Sequence, residues 1–519
     1  MKRMLVWSML TILAAAVSAA EPWQRMSDPN AADVCFFFNE GEEPVRCEAT
    51  LEGTGQAQLW DGVTGAIDKL AGTAGNGTVR VPLELARWAT RLIVIGSAPA
   101  SQAPTLGTPL MKFDFGSGKV AEGWTQVLPA TEITKERGYG IEPEQKVEAV
   151  DRGGDPLTGD FVTSDKPFLF SVVLPEGNYW VKVTLGDDKE TGDNTIKAEL
   201  RRLMIEGLKT APGEHAERTF MVNTRTPKIP GGGEVRLKPR EQVGQSEAVA
   251  WDDKLTIEFN GSRPCVDAVE IGRAPEDMPV VYLMGDSTVC DQPTPPWNSW
   301  GQMLTRWLKP DVIVANNAES GETYASSISE QRLAKVMATI KKGDYMFMQF
   351  GHNDMKAGTV EETHYKESIR RYINDARSKG AIPVLVTSVN RRTFDADGKI
   401  TNSLGDYPQA VRDVAREEGT ALIDLNEMSK TLYETLGPKT AELLFAESQP
   451  DVRDGTHHSN YGSYELSKCI VDGIIDNRLD LAKYIVDDFK RFDPAKPDPP
   501  DQVKIAVSPG FSNIRPLGK

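Results

Sequence analysis

From Pro279 to about residue 490 the chain alternates short apolar runs with longer amphipathic segments, and no other feature of the sequence restricts the fold as tightly. The runs are VVYLM (280–284), VIVAN (312–316), YMFMQF (345–350), IPVLVTSV (382–389) and ALIDL (421–425). Strands that alternate with helical segments in this way are parallel strands joined by crossover helices. The expectation for residues 279–490 is therefore an α/β domain, a three-layer α/β/α sandwich.

The 519 residues leave room for two or three domains, and the preceding sequence has a different period. Over residues 110–275 the segments FLFSVVLP, YWVKVTLG, EVRLKP, LTIEF and VDAVEIG read as short strands bounded by Gly, Pro or Asp, which predicts a β-sandwich domain. Residues 21–105 carry further strand-like stretches, QAQLWDGVTGAI, TVRVPLEL and ARWATRLIVIG, and read as a small β-module set off by the linker SAPASQAPTLGTP. Residues 1–20 have the order of a signal peptide: Met-Lys-Arg, the apolar run LVWSMLTILAAAV, then Ser-Ala-Ala before Glu21. Export to the periplasm or the medium is expected, with no membrane span in the mature chain. Residues 491–519 form a Pro-rich tail expected to wrap the surface or move freely.

Composition excludes more than it selects. A net charge of −16 argues against nucleic acid as a partner, because a phosphate backbone attracts a basic face. Arg391, Arg392 and Arg453 leave room for a local positive patch within an acidic molecule. The five cysteines are too few for a disulfide scaffold and contain no CxxC pair, although Cys35 and Cys47 are placed to pair across a hairpin.

Ligands of an open parallel sheet bind beyond the carboxyl ends of its strands. Gly285-Asp286-Ser287 follows the first run, Ala318-Glu319-Ser320-Gly321 the second and Gly351-His352-Asn353-Asp354 the third. Asp454-Gly455-Thr456-His457 comes late, just before a helical segment starting near Asn460, and belongs on the same rim.

Together these blocks, GDS, the glycine Gly321, GHND and DxxH, resemble the four signature blocks of the SGNH, or GDSL, hydrolases. GDSTV, FGHND and DGTHHSNYG, with FDFG, KERGYG and WDDKLTIEFN upstream, are similar to bacterial two-domain rhamnogalacturonan acetylesterases of carbohydrate esterase family 12. The resemblance covers roughly residues 110–480 and implies a flavodoxin-like hydrolase domain preceded by a galactose-binding-like sandwich. It leaves residues 21–105 outside, where LWDGVTG and VPLEL resemble a β-sandwich segment of some bacterial glycoside hydrolases.

Ester cleavage assigns the roles. A serine hydroxyl needs a base, which makes Ser287 the nucleophile and His457 its partner. Asp454, three residues earlier, is suited to hold the imidazole's tautomer and charge. His458 competes with His457, and the spacing from Asp454 favours His457. The resemblance implies an oxyanion hole made by the backbone N–H groups of Ser287 and Gly321 and the side-chain amide of Asn353. His352, Asp286 and Asp354 read as groups that hold the loops. Where many members have Gly-Arg-Ser, this chain has Gly321-Glu322-Thr323, which questions any cationic contact there with a galacturonate. Arg391 and Arg392 could compensate, and Trp297 and Trp300 are candidates for stacking on sugar rings.

The expected activity is removal of O-acetyl groups from an acetylated plant cell-wall polysaccharide, the rhamnogalacturonan backbone foremost, without metal or cofactor. Acetylated xylan, another plant polysaccharide or a methyl ester is the alternative substrate. A carbohydrate-binding protein with a vestigial esterase domain is the alternative of another class.

Overall fold

The computed structural model describes residues 23–26, 33–39, 43–52, 57–60, 67–70, 72–75, 77–85, 90–95 and 106–516. The signal-peptide residues 1–20 and the linker at 97–105 lie outside them. The chain forms two compact units divided after Thr105.

The first unit is all β. Trp23–Met26, Asp33–Phe38, Thr90–Ile95, Ala57–Trp60 and Ile67–Lys69 form one antiparallel sheet, and Val45–Glu52, Thr78–Leu85 and Thr73–Ala74 another. In Thr78–Leu85 the alternation is strict: Val79, Val81, Leu83 and Leu85 are buried, while Arg80, Pro82 and Glu84 face water. Cys35 and Cys47, expected as a pair, are not joined: they stand on strands of different sheets, each held by its own ladder.

The second unit begins with the sandwich. A seven-stranded sheet containing Cys265–Arg273 and Gly177–Asp187 encloses a core with a five-stranded sheet containing Phe168–Val173 and Lys254–Arg263. Phe115 meets Phe170 edge to face across this core, centroids 4.9 Å apart. One expected strand does not form. EVRLKP (234–239) is irregular, because Arg236 N–H donates to Glu330 O of the hydrolase domain rather than to a ladder. Val235 still buries, in a side cluster with Leu200, Ala250 and Trp251.

The hydrolase domain is a five-stranded parallel sheet: β1 (Val280–Gly285), β2 (Ile313–Asn316), β3 (Tyr345–Gln349), β4 (Ile382–Val386) and β5 (Ala421–Ile423), in the order β2-β1-β3-β4-β5. This is the flavodoxin-like order, and it puts a topological switch point at β1. Helices α1 (Trp300–Leu304), α2 (Tyr324–Ser329), α3 (Arg332–Met337), α4 (Tyr365–Ser378), α5 (Tyr407–Glu418), α6 (Leu425–Thr440) and α7 (Asn460–Asp476) cover it. Alternate residues of β1 serve opposite faces. Val281 and Leu283 pack with α1, α6 and α7, whereas Tyr282 and Met284 pack with α2 to α5. Both faces being buried explains why the run contains no charged residue.

The sandwich and the hydrolase domain share one compact unit because polar side chains knit them together. Gln302 Nε2 donates to Leu200 O at 2.6 Å and Thr305 Oγ1 to Leu203 O at 2.7 Å. Arg202, fully buried, donates to Val314 O and stands 3.2 Å from Asp291. The tail from residue 491 wraps this unit: Lys197 Nζ donates to Ala506 O, and Asn260 Nδ2 to Val507 O at 2.9 Å.

Candidate active site

The loops after β1, β2 and β3 meet where the sheet order reverses. The chain leaves β1 through Gly285, where a Cβ would lie 2.6 Å from Gln349 O of the neighbouring strand, so only glycine admits that approach. A tight turn follows, with Val289 N–H and Cys290 N–H donating to Asp286 O at 3.0 Å. Asp286 turns inward and accepts from Thr288 N–H at 3.0 Å and Thr288 Oγ1 at 2.8 Å. Its second oxygen stands 3.1 Å from His352 Nδ1, and His352 Nε2 meets Val389 O at 2.9 Å. Burial alone would raise the Asp286 carboxyl, but His352 and the Thr288 donors hold it below its ordinary range. Both ring nitrogens of His352 are thus engaged in holding loops.

This turn presents Ser287, whose Oγ is 3.0 Å from His457 Nε2. His457 comes from the strand Val452–His458, immediately before α7, which is capped by Ser459. Asp454 Oδ1 lies 3.2 Å behind His457 Nδ1, not yet aligned as a hydrogen bond. The same oxygen accepts from Thr456 N–H at 2.6 Å and His457 N–H at 2.8 Å. Burial opposes ionisation of Asp454, yet the contact with His457 and the backbone donors hold its carboxyl well below the usual carboxylate range. The structure therefore brings a hydroxyl, an imidazole and an ionised carboxylate into one line. His458, the competitor, is fully buried against Tyr433, whose hydroxyl stands 2.8 Å from its Nε2. Burial, then the neighbouring His457, pushes its pKa down to about 3, which keeps it neutral.

The donors expected around a carbonyl oxygen lie on the loops after β1, β2 and β3. Gly321 has φ +78°, a left-handed conformation natural to glycine. Among the described residues neither Ser287 N–H nor Gly321 N–H is engaged by another protein group. Asn353 donates from Nδ2 to Glu322 O at 3.1 Å and accepts from Lys356 Nζ at 2.8 Å. Asp354 accepts from Tyr324 N–H at 3.1 Å, at the start of α2, and burial pushes its pKa up to about 7.

Several expected substrate contacts are corrected. Trp300 is in the core, its indole N–H donating to Gln349 Oε1 at 2.9 Å. Trp297 is also buried: its N–H donates to Ser512 O at 3.0 Å and its ring meets the His457 ring edge-on, centroids 5.7 Å apart. Neither indole offers a face to a sugar. Arg392 turns away to Glu442 Oε1 at 3.5 Å and over Phe445. Arg391 remains half-buried at the rim, donating to His352 O and Ser403 O, each at 3.2 Å. Glu322 is buried beside Lys238 and Arg332, facing the sandwich rather than the opening.

No sequence motif marked three further residues at this rim. Lys238 and Arg240 reach from the irregular 234–241 segment to the loop carrying Gly321, Lys238 Nζ donating to Ser320 O at 2.7 Å and Arg240 Nε to Glu319 Oε1 at 2.9 Å. Arg515, near the end of the chain, places Nε 2.7 Å from the outer oxygen of Asp454. Among the described residues there is no cluster of His, Cys, Asp or Glu able to hold a metal ion, and no helix long and apolar enough to cross a membrane.

The chain is similar to known proteins over both the sandwich and the hydrolase domain. Residues 283–459 match the GDSL-like lipase/acylhydrolase family, and residues 111–209 match the galactose-binding-domain-like family of β-agarases and YxiM-type esterases. The chain is 39% identical over 217 residues to the rhamnogalacturonan acetylesterase RhgT of Bacillus subtilis, covering 40% of this chain and 94% of that protein. It is 28% identical over 377 residues to the uncharacterised esterase YxiM of the same organism, covering 69% of this chain and 89% of that one. The solved structure of YxiM aligns with 71% of this chain and 99% of its own, at 26% identity and a TM-score of 0.39.

Proposed function

Since the chain belongs to the GDSL-like lipase/acylhydrolase family and is a carboxylic ester hydrolase, we propose that it removes O-acetyl groups from the rhamnogalacturonan backbone of pectin through an acyl-serine intermediate. The observation that carries the mechanism is the 3.0 Å contact between Ser287 Oγ and His457 Nε2, with Asp454 behind the far ring nitrogen. The substrate rests on relatives named as rhamnogalacturonan acetylesterases.

In this reading Ser287 Oγ attacks the acetyl carbonyl while His457 Nε2 takes its proton. The N–H groups of Ser287 and Gly321 and the Asn353 amide receive the oxyanion, each such donor contributing about 2.7–4 kcal/mol to the transition state. Collapse breaks the bond to the sugar oxygen, which leaves with the proton from His457. Water then attacks the acetyl-serine, His457 takes a proton from it, and release of acetate returns the proton to Ser287. Asn353 must leave Glu322 O to serve the oxyanion, a small rotation of one amide. Export to the periplasm or medium, where the polysaccharide is met, is part of the proposal and rests on residues 1–20. N-terminal sequencing of the exported protein should begin near Glu21.

The test is acetate release from acetylated rhamnogalacturonan, acetylated xylan and a small acetyl ester by wild type and Ser287→Ala. Preferential release from rhamnogalacturonan, absent in the variant, is expected. Activity surviving in the variant would overturn the mechanism, and Ser287-dependent cleavage of xylan alone would overturn the substrate.

A further inference from the structure

The last stretch of the chain is built into the active site. Ser512 N–H donates to Pro295 O at 2.8 Å, and Ser512 O accepts from the indole N–H of Trp297 at 3.0 Å. Trp297 is the wall on which the His457 ring rests edge-on. Three residues further, Arg515 Nε reaches the outer oxygen of Asp454 at 2.7 Å, and its guanidinium donates to Thr456 Oγ1 at 3.3 Å. The segment is anchored upstream through Lys197 and Asn260, whose side chains donate to Ala506 O and Val507 O. It therefore touches both groups that orient His457, the indole on one side and the carboxylate on the other.

The inner oxygen of Asp454 is engaged by two backbone N–H groups and faces His457. Only Arg515 contacts the outer oxygen among the described residues, since of the cations nearby Arg391 is turned to carbonyl oxygens of His352 and Ser403 and Lys356 to Asn353 Oδ1. A carboxylate hinged at one oxygen can rotate about its χ2; a cation set against the other oxygen, itself tethered to Thr456 Oγ1, restrains that rotation. We infer that Arg515 is a positioning residue, and that the C-terminal strap carrying it aligns Asp454, and through it His457, for proton transfer from Ser287. The inference rests on the triad reading above and extends it to a residue 61 positions beyond Asp454.

A positioning role acts on the chemical step and leaves substrate capture alone. Arg515→Ala is expected to lower kcat about three- to tenfold on a small acetyl ester, a modest effect because the guanidinium of this ion pair is more than half exposed. KM should stay within twofold and the melting temperature within a degree. Arg515→Lys should recover part of kcat, and added guanidinium chloride at non-denaturing concentration should recover part of it in Arg515→Ala, an effect that a purely structural loss would not show. Truncation after Pro509, which removes the Ser512 anchor as well, should fall at least as far and respond less to guanidinium. Unchanged kcat in Arg515→Ala, a rise in KM alone, or a fall in kcat that neither lysine nor guanidinium restores would each overturn the inference. Ser287→Ala assayed alongside separates the two levels: if it is inactive while Arg515→Ala matches wild type, the triad stands and the strap's role falls; if it is active, the triad itself falls.

Discussion

Asp454→Asn isolates the electrostatic part of the proposed mechanism. The amide retains an oxygen for the N–H groups of Thr456 and His457, so the loop that carries the histidine keeps its local hydrogen bonds. What disappears is the negative charge 3.2 Å from His457 Nδ1, in a place where both side chains are about 5% exposed. Two unit charges at that separation interact by about 5 kcal/mol at an effective dielectric constant of about 20. That interaction exists only once the imidazole has taken the serine proton, so it lowers the barrier rather than the ground state. Allowing for relaxation and for the imperfect alignment, about 4 kcal/mol of transition-state stabilisation should be lost, or roughly a thousandfold in kcat. The assay is steady-state hydrolysis of a small acetyl ester, with circular dichroism to show that the fold survives. Because the triad acts as a unit, Asp454→Asn placed on Ser287→Ala should cost nothing further. A single variant retaining more than a tenth of wild-type kcat would refute the role given to Asp454.

Two further outcomes follow from burial. His458→Gln should reduce kcat less than tenfold while lowering stability by about 1–2 kcal/mol, because it disturbs the buried contact with Tyr433 and not the reaction; thermal unfolding and ester hydrolysis measured together check this. Asp354 has its pKa raised to about 7 by burial, against an ordinary value near 4, so it releases its proton in the unfolded chain before the folded one. Its contribution to stability is complete below about pH 4 and is lost as pH rises towards 7. Asp354→Asn should therefore unfold at a higher temperature than wild type at pH 8, with the advantage shrinking towards pH 4; an advantage that does not depend on pH would contradict the assignment.

Much of the hydrolase domain was legible because its strands are buried on both faces, which forces unbroken apolar runs such as VVYLM. The candidate site residues were legible for a related reason: Ser287, Gly321 and Asn353 each sit a few residues past such a run, on the loops at the rim of the sheet. What sequence could not give was the set of neighbours brought in from afar. Trp297 has the composition of a sugar platform, but its partner Ser512 lies 215 residues away and closes it off. EVRLKP has the alternation of a strand, yet its backbone finds Glu330 in another domain. Arg515 belongs to a Pro-rich tail with no periodicity at all, and only the fold reveals that it ends beside Asp454.

Glu322 shows how such distant partners shape the site. Exposed to solvent, a glutamate in the loop after β2 would repel an acidic glycan. Here it is buried between Lys238 and Arg332, while Arg332 also donates to Glu241 at 3.0 Å and Arg240 holds Glu319. Buried ion pairs of this kind bring little net stability over an apolar cluster, since desolvation offsets most of the attraction, but removing one partner costs about 3–5 kcal/mol. Their consequence is geometric. With charges of opposite sign on the 238–241 segment and on the loop 319–322, the loop that carries Gly321 is tied to the sandwich domain at Glu319, Ser320 and Glu322. The irregular segment that failed to become a strand is thus the part of the sandwich domain that holds the loop carrying Gly321, and the buried Glu322 is its counter-charge rather than a contact for substrate.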